Sequence, residues 1–281
     1  MTRVNIVTGA ASGIGAALAA AMIQRGDTVI LADIDSEGAS LRAKELNELG
    51  RGLARFVALD VRDPAAVAEV VEGVVEEDGR LDVMVNNAGI AVGGEMHELS
   101  LAHWDRVIDV NLRGVVHGVH AAFPVMRRQR HGHIVNTASL AGLVPAPLIT
   151  PYTATKHAVV GLSLALRPEA ATHGIRVTAV CPGFTNTPIL DKAGPDDLSK
   201  PALAEYGREI ADKAKRMLYT PEALAHDIMR GIDKNKALVV APLSARVAWR
   251  AVRVAPGLSG AAGKLEMRYA ERIKRDHSNR G

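Results

Sequence analysis

The stretch Val4-Asn5-Ile6-Val7-Thr8-Gly9-Ala10-Ala11-Ser12-Gly13-Ile14-Gly15 decides how the rest of the chain is read. A short apolar run, Val4–Val7, passes at once into a glycine-rich turn and then into the alanine-rich helical pattern of Ile14–Arg25. Glycines let a backbone turn sharply and come close to a ligand. The free N–H groups at a helix start favour the charge of a pyrophosphate. The spacing here is G-x-x-x-G-x-G rather than G-x-G-x-x-G, and alone it reads equally well as a plain turn. Its place at the opening of a βαβ unit turns the reading toward a dinucleotide.

Working outward, short β-rich runs alternate with longer helical ones. Strands are expected at Thr28–Ala32, Arg55–Leu59, Leu81–Val85, His133–Thr137, Arg176–Val180 and Ala237–Val240, after the first at Val4–Val7. Helices are expected at Ile14–Arg25, Glu37–Leu49, Pro64–Glu77, near Trp104–Met126 and from about Pro151. Seven strands alternating with helices predict an α/β fold, a Rossmann-type doubly wound parallel sheet with helices on both faces. One domain over residues 1–281 is expected, with two decorations. Residues 188–217, carrying Pro195, Asp196, Asp197 and Pro201, read as a substrate lid, and residues 242–281 as a basic extension.

Apolar residues make up 48% of the chain and aromatic ones only 3%, so the core is built mainly of Ala, Val, Leu and Ile. A net charge of +3 gives no case for a nucleic-acid partner. Cys181 is the one cysteine, which excludes an intramolecular disulfide and fits a reducing compartment. No leader-like segment precedes Val4 and no run nears the ~20 apolar residues of a membrane span, so a cytoplasmic location is expected. The histidines show no metal-ligand spacing and no metal is expected. The basic excess sits late, at Arg246, Arg250, Arg253, Arg268, Arg272 and Arg275. Arg246, Arg250 and Arg253 form one helical stripe, with Ala248, Ala251, Val252 and Ala255 opposite. This reads as a solvated helix packed on its own or a neighbouring subunit, or as a basic helix on an anionic membrane. The small bulk of the alanine side favours the first, so no membrane partner is expected.

Asp33 closes the second strand, 18 residues after Gly15. That is near the distance expected for a carboxylate that binds the adenosine ribose hydroxyl. A carboxylate there would repel the extra phosphate of NADP, and no neighbouring basic residue offsets it, so NAD is favoured. Asp60-Val61, at the end of the third strand, could meet the adenine. Asn86-Asn87-Ala88-Gly89, at the end of the fourth, could line the cofactor or be ordinary turn chemistry. Each falls at a strand's carboxyl end, where ligands bind in open α/β sheets.

Ser139 ends the fifth strand, and Tyr152-Thr153-Ala154-Thr155-Lys156 opens the next helix, with Thr150 as its cap and Pro151 as its first residue. Tyrosine and lysine four apart share one helical face. A tyrosine with a pKa near 10 is a poor base at neutral pH, and an ammonium beside it favours the phenolate. A serine hydroxyl on the adjacent strand end could hold a substrate oxygen. Taken alone, Y-x-x-x-K reads as a solvated helix face; the joint arrangement on a nucleotide fold makes it chemistry.

With these motifs in place the sequence resembles the short-chain dehydrogenase/reductase family. The resemblance rests on T-G-x-x-x-G-I-G at Thr8–Gly15, N-N-A-G at Asn86–Gly89, Asn111, Ser139, Tyr152 with Lys156, and P-G-x-x-x-T from Pro182 to Thr187. It covers Val4 to about Thr187, more loosely to about Val240. It implies Tyr152 as general acid or base on the substrate oxygen, and Lys156 lowering its pKa and binding the nicotinamide ribose. Ser139 would orient the carbonyl or alcohol, and Asn111 would hold a water in a proton relay to Lys156. Gly9, Ser12, Gly13, Ile14, Gly15, Asp33, Asp60, Val61, Asn87, Ala88 and Gly89 would line the cofactor path. Thr187 and the backbone near Pro182–Gly183 would meet the nicotinamide carboxamide, with Thr185 beside them. Members are commonly dimers or tetramers packed through the helices that here carry Asn111 and Tyr152.

Pro168 lies in the helix that begins near Tyr152 and predicts a kink or an early end. The residues expected to face substrate are apolar or small: Leu140–Val144, Ala91–Gly94 and Phe184, with Ile189 and Leu190 opening the lid. A hydrophobic secondary alcohol or its ketone, terpenoid, steroid or lipid-like, is the expected substrate. An NADP-dependent carbonyl reductase is opposed by Asp33, and a non-catalytic dinucleotide-binding scaffold by the presence of both tyrosine and lysine.

Overall fold

The first strand, β1 (Val4–Thr8), is buried along its whole length, as a central strand covered on both faces must be. The computed structural model to which it belongs describes residues 2–190 and 218–257, with a few positions between and beyond. β1 pairs in parallel with β2 (Thr28–Asp33) on one side and β4 (Val83–Asn86) on the other. β3 (Leu53–Ala58), β5 (Gly132–Thr137), β6 (Ile175–Pro182) and β7 (Leu238–Ala241) complete a seven-stranded parallel sheet in the order β3-β2-β1-β4-β5-β6-β7. The order reverses between β1 and β4, so a crevice opens above their carboxyl ends.

Helices cover both faces. α1 (Gly13–Gln24), α2 (Ser36–Glu48) and α7 (Pro221–Asp233) share one core with residues such as Val7, Leu31 and Val239. α3 (Pro64–Asp78), α5 (Gly114–Gln129) and the carboxyl end of α6 (Thr150–Ala171) enclose another around Ile6, Met84 and Ile134. Several starts follow from local chemistry. Asp63 accepts hydrogen bonds from the N–H groups of Ala65 and Ala66 ahead of Pro64, and Thr220 accepts one from Ala223 ahead of Pro221. α3 stops at Gly79, whose φ of 73° is left-handed.

The structure bears on three expectations. The helical stretch around Trp104–Met126 is three pieces: α4 (Leu101–Ile108), a π-turn at Asp109–Arg113, and α5. α6 runs three residues past Pro168 and ends at Ala171. The carbonyl that Pro168 deprives of a partner belongs to exposed Leu164, where water can serve instead. Thr150 is the first helical residue rather than the cap; Ile149 caps α6 without a side-chain bond. The expected lid over 188–217 lies, apart from a short turn at Pro188–Leu190 and a few single positions, outside the described residues. Past β7, residues Leu243–Val254 form α8.

Candidate active site

At the carboxyl end of β1, Gly9 and Gly13 have φ of +66° and +55°, left-handed values that glycine adopts without strain. A Cβ on Gly15 would stand 2.1 Å from the Gly9 carbonyl oxygen, and one on Gly9 2.8 Å from Ala88 Cα. The cradle therefore closes only on glycine. Ser12, the N-cap of α1, makes no side-chain capping bond, and the first turn carries no acidic group. Such a helix end, walled by glycine backbone, suits an anionic pyrophosphate. Ser12, Ile14 and Gly15 sit in its first turn, and Thr187 packs its methyl against the place a Gly13 Cβ would take.

The strand ends beside this cradle are tied together. Thr8 Oγ1 accepts from the N–H groups of Asn87 and Ala88, at 2.9 and 3.0 Å, and Asn87 Nδ2 donates to the Thr8 and Gly9 carbonyls. At the end of β2, Asp33 Oδ2 accepts from the Ala11 N–H at 2.9 Å, which fixes the carboxylate beside the glycine turn. Asp60 lies two residues beyond the end of β3, and the Arg62 guanidinium holds its carboxyl below the usual range. Val61 is buried under α5. Its carbonyl contacts a His117 ring nitrogen at 2.9 Å, and a Cβ on Gly114 would meet its side chain at 2.8 Å. Val61 thus anchors a helix.

Across the sheet, Ser139, Tyr152, Lys156 and Asn111 converge from β5, α6 and the π-turn. Lys156 Nζ lies 5.4 Å from the centre of the Tyr152 ring and donates to the Thr137 carbonyl at 2.8 Å. The Ser139 hydroxyl lies close enough to Tyr152 to influence the ionisation of its phenol. Crowding by protein atoms pushes the Tyr152 hydroxyl above its usual value, and the Ser139 hydroxyl opposes that. Burial draws the Lys156 ammonium down to about 8. For Tyr152, burial is the largest influence on the hydroxyl. Asn111 Oδ1 accepts from the Ile90 N–H and its Nδ2 donates to the Ile90 carbonyl, at 2.8 and 2.9 Å. A side chain on Gly89 would lie 3.3 Å from Asn111 Oδ1 and 3.5 Å from Lys156 Nζ, so this glycine keeps the space between them clear.

Pro182 ends β6, Gly183, Thr185 and Thr187 follow it at the same edge, and Thr185 joins Tyr219 through a β-bridge. Of the residues expected to face substrate, Leu140, Leu143 and Val144 are partly exposed and Phe184 is 63% exposed. Ala141, Gly142 and Val92 are buried; a Cβ on Gly142 would meet the Lys156 carbonyl at 2.5 Å. They shape the site from behind.

Beyond Asn86 of the N-N-A-G run, several contributors carry no motif. Asn86 Nδ2 donates to Asn136 Oδ1, Asn136 Nδ2 to Ser163 Oγ, and Ser163 Oγ to the Val159 carbonyl, which ties β4 and β5 to α6. Asparagines inside apolar strands were the available signal. Cys181, read above only for its redox meaning, lies buried beside Lys156 and the Ser139 N–H. Burial pushes its thiol up to about 12, so it stays neutral.

A family model described as short chain dehydrogenase matches residues 3–198. The chain is 40% identical over 210 residues to a 3-oxoacyl-(acyl-carrier-protein) reductase of Thermotoga maritima, covering 73% of this chain and 85% of that one. It is 39% identical over 208 residues to a 3-alpha-(or 20-beta)-hydroxysteroid dehydrogenase of Mycobacterium bovis, covering 74% and 78%. A short-chain dehydrogenase/reductase from Burkholderia phymatum solved with NAD superposes with a TM-score of 0.84 at 29% identity, over 92% of this chain and 95% of that one. A short-chain dehydrogenase from Sphingobium yanoikuyae solved with NADPH gives 0.74 at 28% identity, over 94% and 95%.

Proposed function

As the chain belongs to the short-chain dehydrogenase/reductase family of oxidoreductases, we propose that it interconverts a hydrophobic secondary alcohol and its ketone with NAD(H). The convergence of Ser139, Tyr152 and Lys156 beside a glycine cradle carries the reading. The dinucleotide, when bound, supplies the acceptor or donor of hydride. Gly9, Ser12, Gly13, Ile14 and Gly15 hold the pyrophosphate, Asp33 the adenosine ribose, and Asp60 with Val61 border the adenine. Asn87, Ala88 and Gly89 line the middle of the path, Lys156 meets the nicotinamide ribose, and Pro182, Gly183, Thr185 and Thr187 bound the nicotinamide end. Ser139 donates to the substrate oxygen and fixes its lone pairs toward Tyr152. In the oxidising direction Tyr152 takes the hydroxyl proton while the carbinol hydrogen leaves as hydride; in reduction it returns the proton. Asn111 holds a water through which Lys156 passes that proton on, in the space that Gly89 keeps clear. Placing proton transfer on a positioned side chain is worth about 10²–10⁴-fold.

A preference for NAD is supported by the Asp33 carboxylate, which the Ala11 N–H fixes at the end of β2 beside the glycine turn and which would repel the extra phosphate of NADP. The apolar mouth formed by Leu140, Leu143, Val144 and Phe184 supports a hydrophobic substrate, as does the likeness to a hydroxysteroid dehydrogenase. Family members' packing through the helices of Asn111 and Tyr152 supports a dimer or tetramer, with Val116 and Leu164 exposed on α5 and α6.

The experiment is NADH formation from NAD, with NADP in parallel, across a panel of hydrophobic secondary alcohols, for wild type, Tyr152→Phe and Asp33→Ser. Turnover with NAD should disappear in Tyr152→Phe, and Asp33→Ser should raise the NADP rate relative to NAD. Turnover that persists in Tyr152→Phe overturns the mechanism, and wild-type activity with NADP alone overturns the cofactor assignment.

A further inference from the structure

Beyond β7 the chain changes character. Residues 243–281 hold nine Lys and Arg against three Asp and Glu, a net of +6, in a chain whose total is +3. Residues 1–242 therefore carry −3. α8 itself carries Arg246, Arg250 and Arg253 and no carboxylate. Its packed side is set by Ala245 and Trp249, which join the core around Val240 and Cys181. The Arg246 guanidinium donates to the Val240 carbonyl and keys the helix onto the outer strand.

That packing turns the larger apolar side chains outward. Leu243, Val247 and Val254 are 67%, 59% and 87% exposed. At 100° per residue they fall within one narrow stripe, and Arg246, Arg250 and Arg253 flank it on one side. The sequence alone suggested the small alanines as the apolar side; the fold presents leucine and valine instead. Beside the stripe, α7, β7 and α8 enclose an open groove of about 230 Å³. Arg230, Lys236, Arg246, Arg250 and Trp249 line it. Its one lining carboxylate, Asp227, is already paired with Arg230 and with the Tyr219 hydroxyl. Arg253 lies over the Trp249 ring at 5.9 Å. A bulky apolar stripe, a row of arginines and a cationic groove on one surface match a lipid interface, where apolar groups sit among acyl chains and arginines among anionic headgroups.

We propose that α8 is a peripheral membrane contact, docking on an anionic lipid surface through Leu243, Val247 and Val254, with Arg250 and Arg253 on the headgroups. No helix among the described residues is long and apolar enough to cross a bilayer, so the contact lies in the interface. The negative body is repelled by such a surface, which orients the molecule with α8 toward it. α8 begins beside the site: a Cβ on Gly183 would touch Ala245 Cβ at 3.0 Å. Docking thus brings the exposed Phe184 end of the site close to the lipid.

The test is flotation of the full chain with vesicles of phosphatidylcholine alone and of phosphatidylcholine with phosphatidylglycerol. Wild type should rise with the anionic vesicles only, and added salt should release it. Arg250→Glu/Arg253→Glu should weaken partitioning by about 30-fold or more, from about fivefold per arginine. Leu243→Ser/Val247→Ser/Val254→Ser should abolish it, with turnover and melting unchanged because these positions are exposed. A wild type that stays in buffer, or variants that float as well as wild type, overturns the proposal. So does a triple-serine variant that loses an oligomer in sedimentation velocity while wild type ignores vesicles, since the stripe is then a subunit interface.

Discussion

Gly142 sits in the turn after Ser139, with its missing side chain facing the helix that carries Tyr152 and Lys156. In Gly142→Ala the new Cβ would lie 2.5 Å from the Lys156 carbonyl oxygen, 2.7 Å from its carbon and 3.2 Å from Val160 Cγ2. Ordinary contact begins at 3.4 Å, so turn and helix must part by about 0.9 Å. The atoms in the way are backbone and cannot swing aside. Gly142 is not in the left-handed region, so alanine meets the contact alone and no backbone strain. The separation falls between Ser139 on one side and Tyr152 with Lys156 on the other. Misplacing reacting groups by about 1 Å costs on the order of 10²-fold in rate. Overpacking of this kind costs about 1–3 kcal/mol, which for a chain this long lowers Tm by about 2–5 °C. Gly161, on the same helix, is the control, because a Cβ there has nothing within 4 Å. Gly161→Ala should gain about 0.8–1 kcal/mol from helix propensity and leave kcat alone. The assay is kcat and KM for the best alcohol of the panel, alongside calorimetric melting of both variants. A Gly142→Ala enzyme with wild-type kcat would refute the claim that this contact sets the Ser139–Tyr152 geometry. An equal loss in Gly161→Ala would show that the effect comes from perturbing the helix in general.

Two further predictions concern protons. Lys156 is held at about 8 against an ordinary 10.5, so the folded state releases its proton first; its burial weakens the fold fully below about pH 8, and that penalty fades as pH rises toward 10.5. In ketone reduction, kcat/KM should therefore fall above about pH 8 as the ammonium is lost, and Lys156→Arg should remove that limb; a limb unchanged in the arginine variant refutes the assignment. His133 is buried, donates through Nε2 to Thr178 Oγ1, whose own proton goes to the Lys236 carbonyl, and is held neutral down to about 3 by desolvation. The unfolded chain protonates it near 6.5, so stability present above that pH is lost as pH falls toward 3, by at most about 1.4 kcal/mol per pH unit. The Tm of His133→Gln should decline less between those values than that of wild type, and parallel declines refute the point.

Much of the fold is legible in the residues because its central strands, covered on both faces, read as short β-rich runs nearly free of charge. β1, β2 and β5 begin or end within a residue or so of where Val4–Val7, Thr28–Ala32 and His133–Thr137 place them. The helix start at Pro64 follows from the Asp before it, whereas the helix over Pro221–Asp233 is not among the expected elements. The break of the long helical stretch at Asn111 is not local. It arises because the Asn111 amide spans the Ile90 backbone, a partner 21 residues away that no periodicity reveals. The outward face of α8 is hidden for the same kind of reason. Its hydrophobic pattern alone allows more than one side to pack, and contact with β7 chooses Ala245 and Trp249.

The site residues that motifs pick out are held mainly by main chain. Lys156 rests on the Thr137 carbonyl, Asn111 on both polar groups of Ile90, Asn87 on the Thr8 and Gly9 carbonyls, and Asp33 on the Ala11 N–H. A carbonyl or N–H is supplied by almost any residue, so the identities of Ile90, Thr137 and Ala11 matter less than where their backbones run. Those paths depend on close approaches at Gly9, Gly15 and Gly142, where a single added carbon meets backbone at 2.8 Å or less. The chemistry is thus specified twice over, by side chains that react and by glycines that let the strands carrying them meet. This is why a sequence can announce the first group by its spacing while the reason for the second emerges only when the chain is folded.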